Sequence, residues 1–325
     1  MSKPARRAAA DAPILVTMGE PAGIGPEIAV AAFKSLGGKV DRHPLRLIGD
    51  ASVFANCGLA DQQAIVATKA HAVRSAAKPL AGNSAAVIEA IDTAVALVQS
   101  GEAAALVTAP INKAVLVHGG FAHPGHTEYL QALTGVPRAV MLLASDQLRV
   151  APLTIHTSLA SVPSALTTEA IVETAEIILA ALTRYFAIAA PRLAVSGLNP
   201  HAGEDGVLGG EERAIIAPAV ALLTSRGHAV RGPLPADTLF HAEARASYDA
   251  ALCMFHDQAL IPIKTLSFWE AVNVTLGLPI IRTSPDHGTA FDIAGTGKAD
   301  ARSMIAAIRM AAQMADAGQP QTAKR

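Results

Sequence analysis

The sequence predicts an α/β fold with three layers, α/β/α, built on mostly parallel sheets. Three observations predict it. Short, continuously apolar runs alternate along the chain with longer Ala-rich amphipathic stretches, the pattern of parallel strands covered on both faces by helices. Hydrophobic residues make up 51% of the 325 positions and charged residues 16%. That excludes whole-chain disorder and leaves ample core, since a chain of ~300 residues buries roughly 75% of its extended surface. No internal repeat, low-complexity block or Pro/Gly linker interrupts the alternation, so two subdomains sharing a cleft are expected rather than domains on a tether.

The expected strands, in order, are Pro13–Thr17, Leu45–Gly49, Ala64–Thr68, Ala104–Thr108, Ala139–Ala144, Val150–His156, Leu193–Gly197 and Ala250–Phe255. The expected helices are Gly25–Lys34, Ser84–Gln99, Thr168–Tyr185, Glu211–Ser225 and a last one over Ala301–Ala315. The turn Met18–Glu27 joins the first strand to the first helix. Its glycines permit a sharp turn, and Pro26 suits the first helical position. It is neither the G-x-G-x-x-G dinucleotide fingerprint nor a P-loop.

Composition narrows the function classes. The formal net charge is -1, so there is no basic excess for coating nucleic acid or an anionic membrane. Two cysteines, Cys57 and Cys253, make no disulfide framework and fit a reducing compartment. Residues 1–12 read as a disordered tail, Ala- and Arg-rich and without the apolar run of a signal peptide. The most apolar helical stretch, near Ile177–Ala181, lies between Glu176 and Arg184, short of the ~20 apolar residues of a membrane span. A cytoplasmic protein is expected.

Of the 11 histidines, His43, His71, His118 and His228 stand in polar or loop contexts and are expected on the surface. His156, His201 and His256 differ, because each stands at or just beyond the carboxyl end of an expected strand, where α/β sheets bind ligands. Three imidazoles meeting there would suit a zinc-like divalent ion and leave positions open for substrate. Spacing alone describes three unrelated loop histidines equally well. Gly125-His126-Thr127-Glu128 opens a helix, with Thr127 as its expected cap and N–H groups that would suit an anion. Without further context, a plain cap is the simpler account. Lys264, Asn273 and Arg282 recur at intervals of nine in the otherwise apolar run Ile261–Thr283, which favours anion binding over side chains that merely snorkel to the surface. His287–Gly295 is a Gly-rich loop with Asp292 inside it and Asp286 before it. By itself it also fits a plain connection to the last helix.

Taken together, Gly19–Glu27, Thr108–Lys113, Gly125–Glu128, Gly197–Glu204 and above all Tyr248–Ala299 resemble the 4-hydroxythreonine-4-phosphate dehydrogenase family of pyridoxal phosphate biosynthesis. The resemblance runs from about Pro13 to about Ala315. The loop His287–Gly295 is more distantly similar to the cofactor loop of isocitrate and isopropylmalate dehydrogenases. The resemblance implies a fold of that dehydrogenase type with an active-site cleft between two subdomains. Residues 13–130 with 285–318 would form the cofactor side, and 131–284 the metal and dimer-interface side. It implies a homodimer with the active site at the interface, so that one metal histidine comes from the partner chain. It also implies NAD (or NADP) and one divalent metal (Zn, Mg or Co) on His156, His201 and His256. Substrate would be held by His126, Thr127, Lys264, Asn273 and Arg282, and cofactor by His287, Gly288, Thr289 and Asp292.

The implied reaction is oxidation of 4-phosphohydroxy-L-threonine at C3, then decarboxylation to 3-amino-2-oxopropyl phosphate. A metal on the 3-hydroxyl would stabilise the developing alkoxide and then serve as electron sink. Asp237, Asp257 and Lys264 are the candidates for taking the hydroxyl proton, and no spacing argument separates them. A compact turn over the eight residues from His256 to Lys264 would bring the ammonium near that hydroxyl. The alternatives are a related dehydrogenase of a sugar-acid phosphate or cis-dihydrodiol and, more remotely, a zinc aldolase or hydrolase, or a non-catalytic binding protein.

Overall fold

A computed structural model describes Arg6, residues 8–123 and residues 125–318. Of the tail expected over residues 1–12, residues 1–5 and 7 lie outside the described residues. Its end is part of the fold: Ala12 is buried and its carbonyl meets His43 Nδ1 at 2.7 Å.

The strands are β1 (Ile14–Thr17), β2 (Lys39–Val40), β3 (His43–Gly49), β4 (Ile65–Ala67), β5 (Ala105–Val107), β6 (Val140–Ala144), β7 (Arg149–Pro152), β8 (Arg192–Ser196), β9 (Ala229–Leu234), β10 (Ala250–Cys253), β11 (Val272–Leu276) and β12 (Arg282–Pro285). The longer helices are α1 (Gly25–Ser35), α2 (Ser84–Ser100), α3 (His126–Thr134), α4 (Thr168–Tyr185), α5 (Ala217–Ser225), α6 (His256–Leu266) and α7 (Arg302–Ala317). The chain divides into two compact units: one holds the chain up to Ala139 and again from Leu278, the other Val140–Gly277.

In the first unit the strand order is β2-β3-β1-β5-β12, with β4 also on β3. The β3–β1–β5–β12 pairs are parallel, in the register Ile14↔Leu45 and Ile14↔Ala105. Every residue of β1 is buried, as a central parallel strand with both faces covered requires. Helices α1, α2 and α7 pack on this sheet. The stretch Ala81–Ser100 is long and apolar enough to cross a membrane by length and composition. Its stripe of Val87, Ala90, Ile91, Ala94, Val95 and Val98 is buried, and the helix packs against β1, β3 and β5. It ends at Gly101, whose left-handed φ of 82° closes the helix at no Cβ cost.

In the second unit the order is β11-β6-β7-β10-β8-β9. β11, β6 and β7 are antiparallel neighbours, while β7, β10, β8 and β9 run parallel. Leu143, Val150, Ala194, Ala251 and Cys253 on the strands bury against Ala259, Leu260 and Ile263 of α6.

Four local expectations are corrected. His43 is not a surface residue: it is 0% exposed, held by the Ala12 carbonyl and by Asp316 Oδ1 at 3.1 Å from Nε2. Its polar neighbours in sequence concealed a buried strand position. β7 stops at Pro152, so His156 stands four residues beyond the strand instead of ending it. Likewise β10 stops at Cys253, and His256 opens α6. The helix expected over Glu211–Ser225 begins instead with a π-helical turn, Glu212–Ile216, before α5.

Candidate active site

In the second unit, β10 pairs in parallel with β7 on one side and β8 on the other. The loops carrying His156, His201 and His256 therefore leave the same edge of three adjacent strands. Pairing between β7 and β10 continues past the strand ends: Leu153 N–H donates to the Cys253 carbonyl at 2.7 Å, and Thr154 Oγ1 to the Met254 carbonyl at 2.8 Å. Two residues later on each chain come His156 and His256, with ring centroids 6.4 Å apart. His256 Nδ1 lies 2.7 Å from Asp257 Oδ1. A proton on Nδ1 shared with that carboxylate would leave Nε2 with its lone pair.

His201 stands apart from this pair. Among the described residues of a single chain, no three His, Cys, Asp or Glu side chains come together as a metal set. His201 opens a left-handed run, with φ of 52°, 51°, 81°, 43° and 53° for His201 through Asp205. Four of those five residues are not glycine, and each left-handed L-residue costs roughly 1–2 kcal/mol. Glu212 meets the inner side of this turn. Its Oε1 accepts from Leu198 N–H at 2.8 Å and Asn199 N–H at 2.7 Å, and its Oε2 accepts from Asn199 Nδ2 at 3.0 Å. Burial alone would raise the Glu212 carboxyl, but the hydrogen bonds from Asn199 and Leu198 outweigh it and hold it below its ordinary value.

Gln258 links two of the three loops. Its Oε1 accepts from Ser196 Oγ and Met254 N–H, both at 2.8 Å, and its Nε2 donates to the Gly197 carbonyl at 2.8 Å. A pocket of about 480 Å³ beside it is lined by Asp237, Phe240, Phe255, Asp257, Gln258 and Pro262, among others. Two of the three proton-acceptor candidates thus share one pocket. Lys264 does not line it. Eight residues of α-helix separate Lys264 from His256, about 12 Å along the axis. This corrects the expected compact turn, because α6 is continuous from His256 to Leu266. Asn273 lies on β11 opposite Leu143, half-buried, with Oδ1 buried and without a hydrogen-bond partner among the described residues.

The first unit gathers a cationic group around the start of α3. Arg282, 3% exposed at the head of β12, donates from Nε and Nη2 to Thr108 Oγ1 at 3.1 and 2.6 Å. Burial pushes its guanidinium down to about 10, so it remains charged at neutral pH. Gly125 caps α3 with no side-chain bond, which corrects the expectation for Thr127: it lies within the first turn. A Cβ on Gly125 would fall 3.0 Å from Lys113 Cε and 3.4 Å from its Nζ, so the Lys113 ammonium sits against the helix start. Among the described residues, the buried His126 Nε2 has no hydrogen-bond partner. Burial first, then the charges of Arg282 and Lys113, hold its pKa well below that of an ordinary histidine. Burial only keeps the imidazole uncharged, whereas the Arg282 and Lys113 charges, which further disfavour the imidazolium, would favour an anion at this helix N-terminus. Lys113 and Glu212 had not been singled out as site residues. Lys113 lay inside a noted motif, Thr108–Lys113, while nothing local in sequence marked Glu212.

The Gly-rich loop is bound to the turn after β1. Ile24 N–H donates to the Thr289 carbonyl at 3.0 Å, and Gly295 N–H to Glu27 Oε1 at 2.7 Å. Arg74 clasps Glu27 and donates to the Gly23 carbonyl at 3.2 Å. Thr289 is buried, His287 half-buried, and Gly288 and Asp292 exposed, so the four expected cofactor residues do not share one exposure.

The family described as pyridoxal phosphate biosynthetic protein PdxA matches the chain over residues 31–311. A 4-hydroxythreonine-4-phosphate dehydrogenase of Roseobacter denitrificans is 55% identical over 322 residues, covering 94% of this chain and 98% of that protein. The crystal structure of a 4-hydroxythreonine-4-phosphate dehydrogenase from Klebsiella pneumoniae matches with a TM-score of 0.83 at 38% identity, over 94% of this chain and 99% of its own. A terephthalate 1,2-cis-dihydrodiol dehydrogenase from Burkholderia xenovorans is similar at a TM-score of 0.66 and 27% identity, over 93% of this chain and 98% of its own.

Proposed function

The chain belongs to the PdxA family of pyridoxal phosphate biosynthetic proteins, and from that premise we propose that it is an NAD-linked dehydrogenase of 4-phosphohydroxy-L-threonine. It oxidises C3 and releases carbon dioxide, giving 3-amino-2-oxopropyl phosphate. The observation that carries the reading is the 55% identity, over 94% of the chain, with a relative of that name.

The residues fit the groups this reaction needs. His126, Thr127, Lys264, Asn273 and Arg282 bind substrate. Buried Arg282, with Lys113 beside Gly125, supplies the positive field for a phosphate dianion, and His126, kept neutral, donates or accepts without adding charge. Asn273 Oδ1, buried without a partner, is an acceptor reserved for a donor such as the substrate ammonium. The donor set of three imidazoles leaving one sheet edge suits a borderline divalent ion such as Zn or Co better than the hard Mg, which prefers oxygen ligands. His156 and His256 neighbour each other within one chain, and a homodimer would complete the set with a histidine from the second copy. The bound ion would draw charge from the 3-hydroxyl while the nicotinamide of NAD or NADP takes the hydride. His287, Gly288, Thr289 and Asp292 hold that nucleotide on a loop fastened to the turn Met18–Glu27. Asp237, on the pocket that Asp257 also lines, is placed to accept the hydroxyl proton, whereas the Asp257 carboxylate orients His256. The enzyme works in the cytoplasm.

The test is NADH formation at 340 nm with 4-phosphohydroxy-L-threonine and, separately, with a cis-dihydrodiol. Turnover of the phosphorylated amino acid alone is expected. Turnover of the dihydrodiol alone would replace this reading with the related dehydrogenase.

A further inference from the structure

We infer that Glu212 is the positioning residue of the His201 turn: its buried carboxylate holds the left-handed path from which His201 projects. The inference rests on the reading of His201 as a metal ligand. Residues His201 to Asp205 all have φ between 43° and 81°. L-residues disfavour that conformation, so a run of this length persists only where its surroundings over-determine it.

Glu212 is that surrounding. It is 5% exposed, and its described hydrogen-bond partners are donors of this turn: Leu198 N–H, Asn199 N–H and Asn199 Nδ2. Asn199 Nδ2 also donates to Glu211 Oε2 at 2.9 Å. Two glycines make room for the carboxylate. A Cβ on Gly203 would fall 2.5 Å from Glu212 Oε2, and one on Gly197 would fall 3.2 Å from Oε1 and 2.8 Å from Ala202 Cα. The carboxylate thus sits between the two arms of the turn, one residue chain on either side. Glu212 itself opens the π-helical turn Glu212–Ile216, an irregularity that recurs at functional sites. A carboxylate buried only to stabilise a core would be a poor choice against an apolar residue of like volume. One that dictates the backbone of a ligand-bearing loop has a role an apolar residue cannot fill.

The experiment measures zinc affinity of the full-length apoprotein by competition with a chromophoric chelator, together with amide hydrogen exchange over residues 198–205. The variants are His201→Ala, Glu212→Ala, Glu212→Gln and Asn199→Ala, each checked for native circular dichroism. Glu212→Ala should weaken zinc binding by about 10–100-fold, as loss of an outer-shell partner does, and should speed exchange across the turn. Glu212→Gln keeps one oxygen for Leu198 N–H and Asn199 N–H but gives up the acceptor for Asn199 Nδ2, and should recover part of the affinity that Glu212→Ala loses. A Gln variant as weak as the Ala variant would assign the effect to charge and overturn the inference. If His201→Ala binds zinc like wild type, the reading of His201 as a ligand falls, and the inference with it. If His201→Ala loses zinc while folded Glu212→Ala keeps it, the inference alone falls. Should Glu212→Ala not fold, Asn199→Ala decides, since it keeps both backbone bonds to Glu212 and removes the side-chain bonds to Glu212 and Glu211. Weakened affinity supports the inference and unchanged affinity overturns it.

Discussion

Arg282 and His126 are two residues whose burial bears on what they bind. Arg282 stays charged at neutral pH although burial lowers it to about 10, so a phosphate held beside it would meet a guanidinium cation. Arg282→Ala should lower kcat/KM by roughly 10–100-fold, the worth of a charge-assisted hydrogen bond. Arg282→Lys should not restore it, because a point ammonium cannot reproduce the guanidinium fork that also grips Thr108. Steady-state kinetics on both variants check this. His126 carries a pH consequence. Its folded pKa is depressed by burial and by Arg282 and Lys113, so below about 6.5 the unfolded chain takes a proton that the folded chain refuses. Stability should fall as pH drops from about 6.5, by at most about 1.4 kcal/mol per pH unit from this group. Urea unfolding at pH 7, 6 and 5 should show a flatter fall in His126→Gln. Lys264, two helical turns beyond His256, is expected to act on binding. Lys264→Ala should raise KM while kcat changes less than tenfold, whereas a lost acid–base group would cost about 10²–10⁴ in kcat.

At the scale of elements, the parallel order β7-β10-β8 is what brings the loops carrying three distant histidines to one edge. The candidate strands were legible because they are continuous apolar runs, but their carboxyl ends were not. Pairing between Leu153 or Thr154 and β10 continues through backbone and hydroxyl bonds after the strand geometry has ended, and no residue type announces that. His43 was misplaced for a related reason. Its partners, Ala12 and Asp316, lie 31 and 273 residues away, and local sequence context contains neither. Strand β11 and the start of β12 hid inside the run Ile261–Thr283, where apolar content alone cannot separate helix from strand. Gln258 was equally silent in sequence, yet its amide ties the ends of β8 and β10 together. Gln258→Leu should destabilise the chain by at least about 2 kcal/mol, because it leaves buried donors and an acceptor without partners. Chemical denaturation measures it. Gly23 plays the corresponding part in the first unit, since a Cβ there would fall 2.8 Å from the Thr289 carbonyl. Gly23→Ala should therefore weaken NAD binding, read by nucleotide titration, with little change in phosphate affinity.

For the molecule as a whole, the chain builds one compact unit up to Ala139, a second from Val140 to Gly277, and returns to the first from Leu278. The return was legible only through the late Gly-rich loop, whose likeness to known cofactor loops placed it with the N-terminal strands. The assembly was legible only through family resemblance, and here mixing experiments decide. If one metal histidine comes from a second copy, two of the three pairwise mixtures of His156→Ala, His201→Ala and His256→Ala should regain activity. Random mixed dimers would restore about a quarter of the sites. The third mixture, of two variants altered on the same side, should stay inactive. The central claim is that strand-end histidines hold a divalent ion on which this dehydrogenase depends, and the most direct measurement is NADH and carbon dioxide released from 4-phosphohydroxy-L-threonine by chelator-stripped and metal-reloaded enzyme. The account predicts no product from stripped enzyme, equal amounts of both products after reloading, and no rescue in any of the three His→Ala variants alone. Full turnover by stripped enzyme would contradict it.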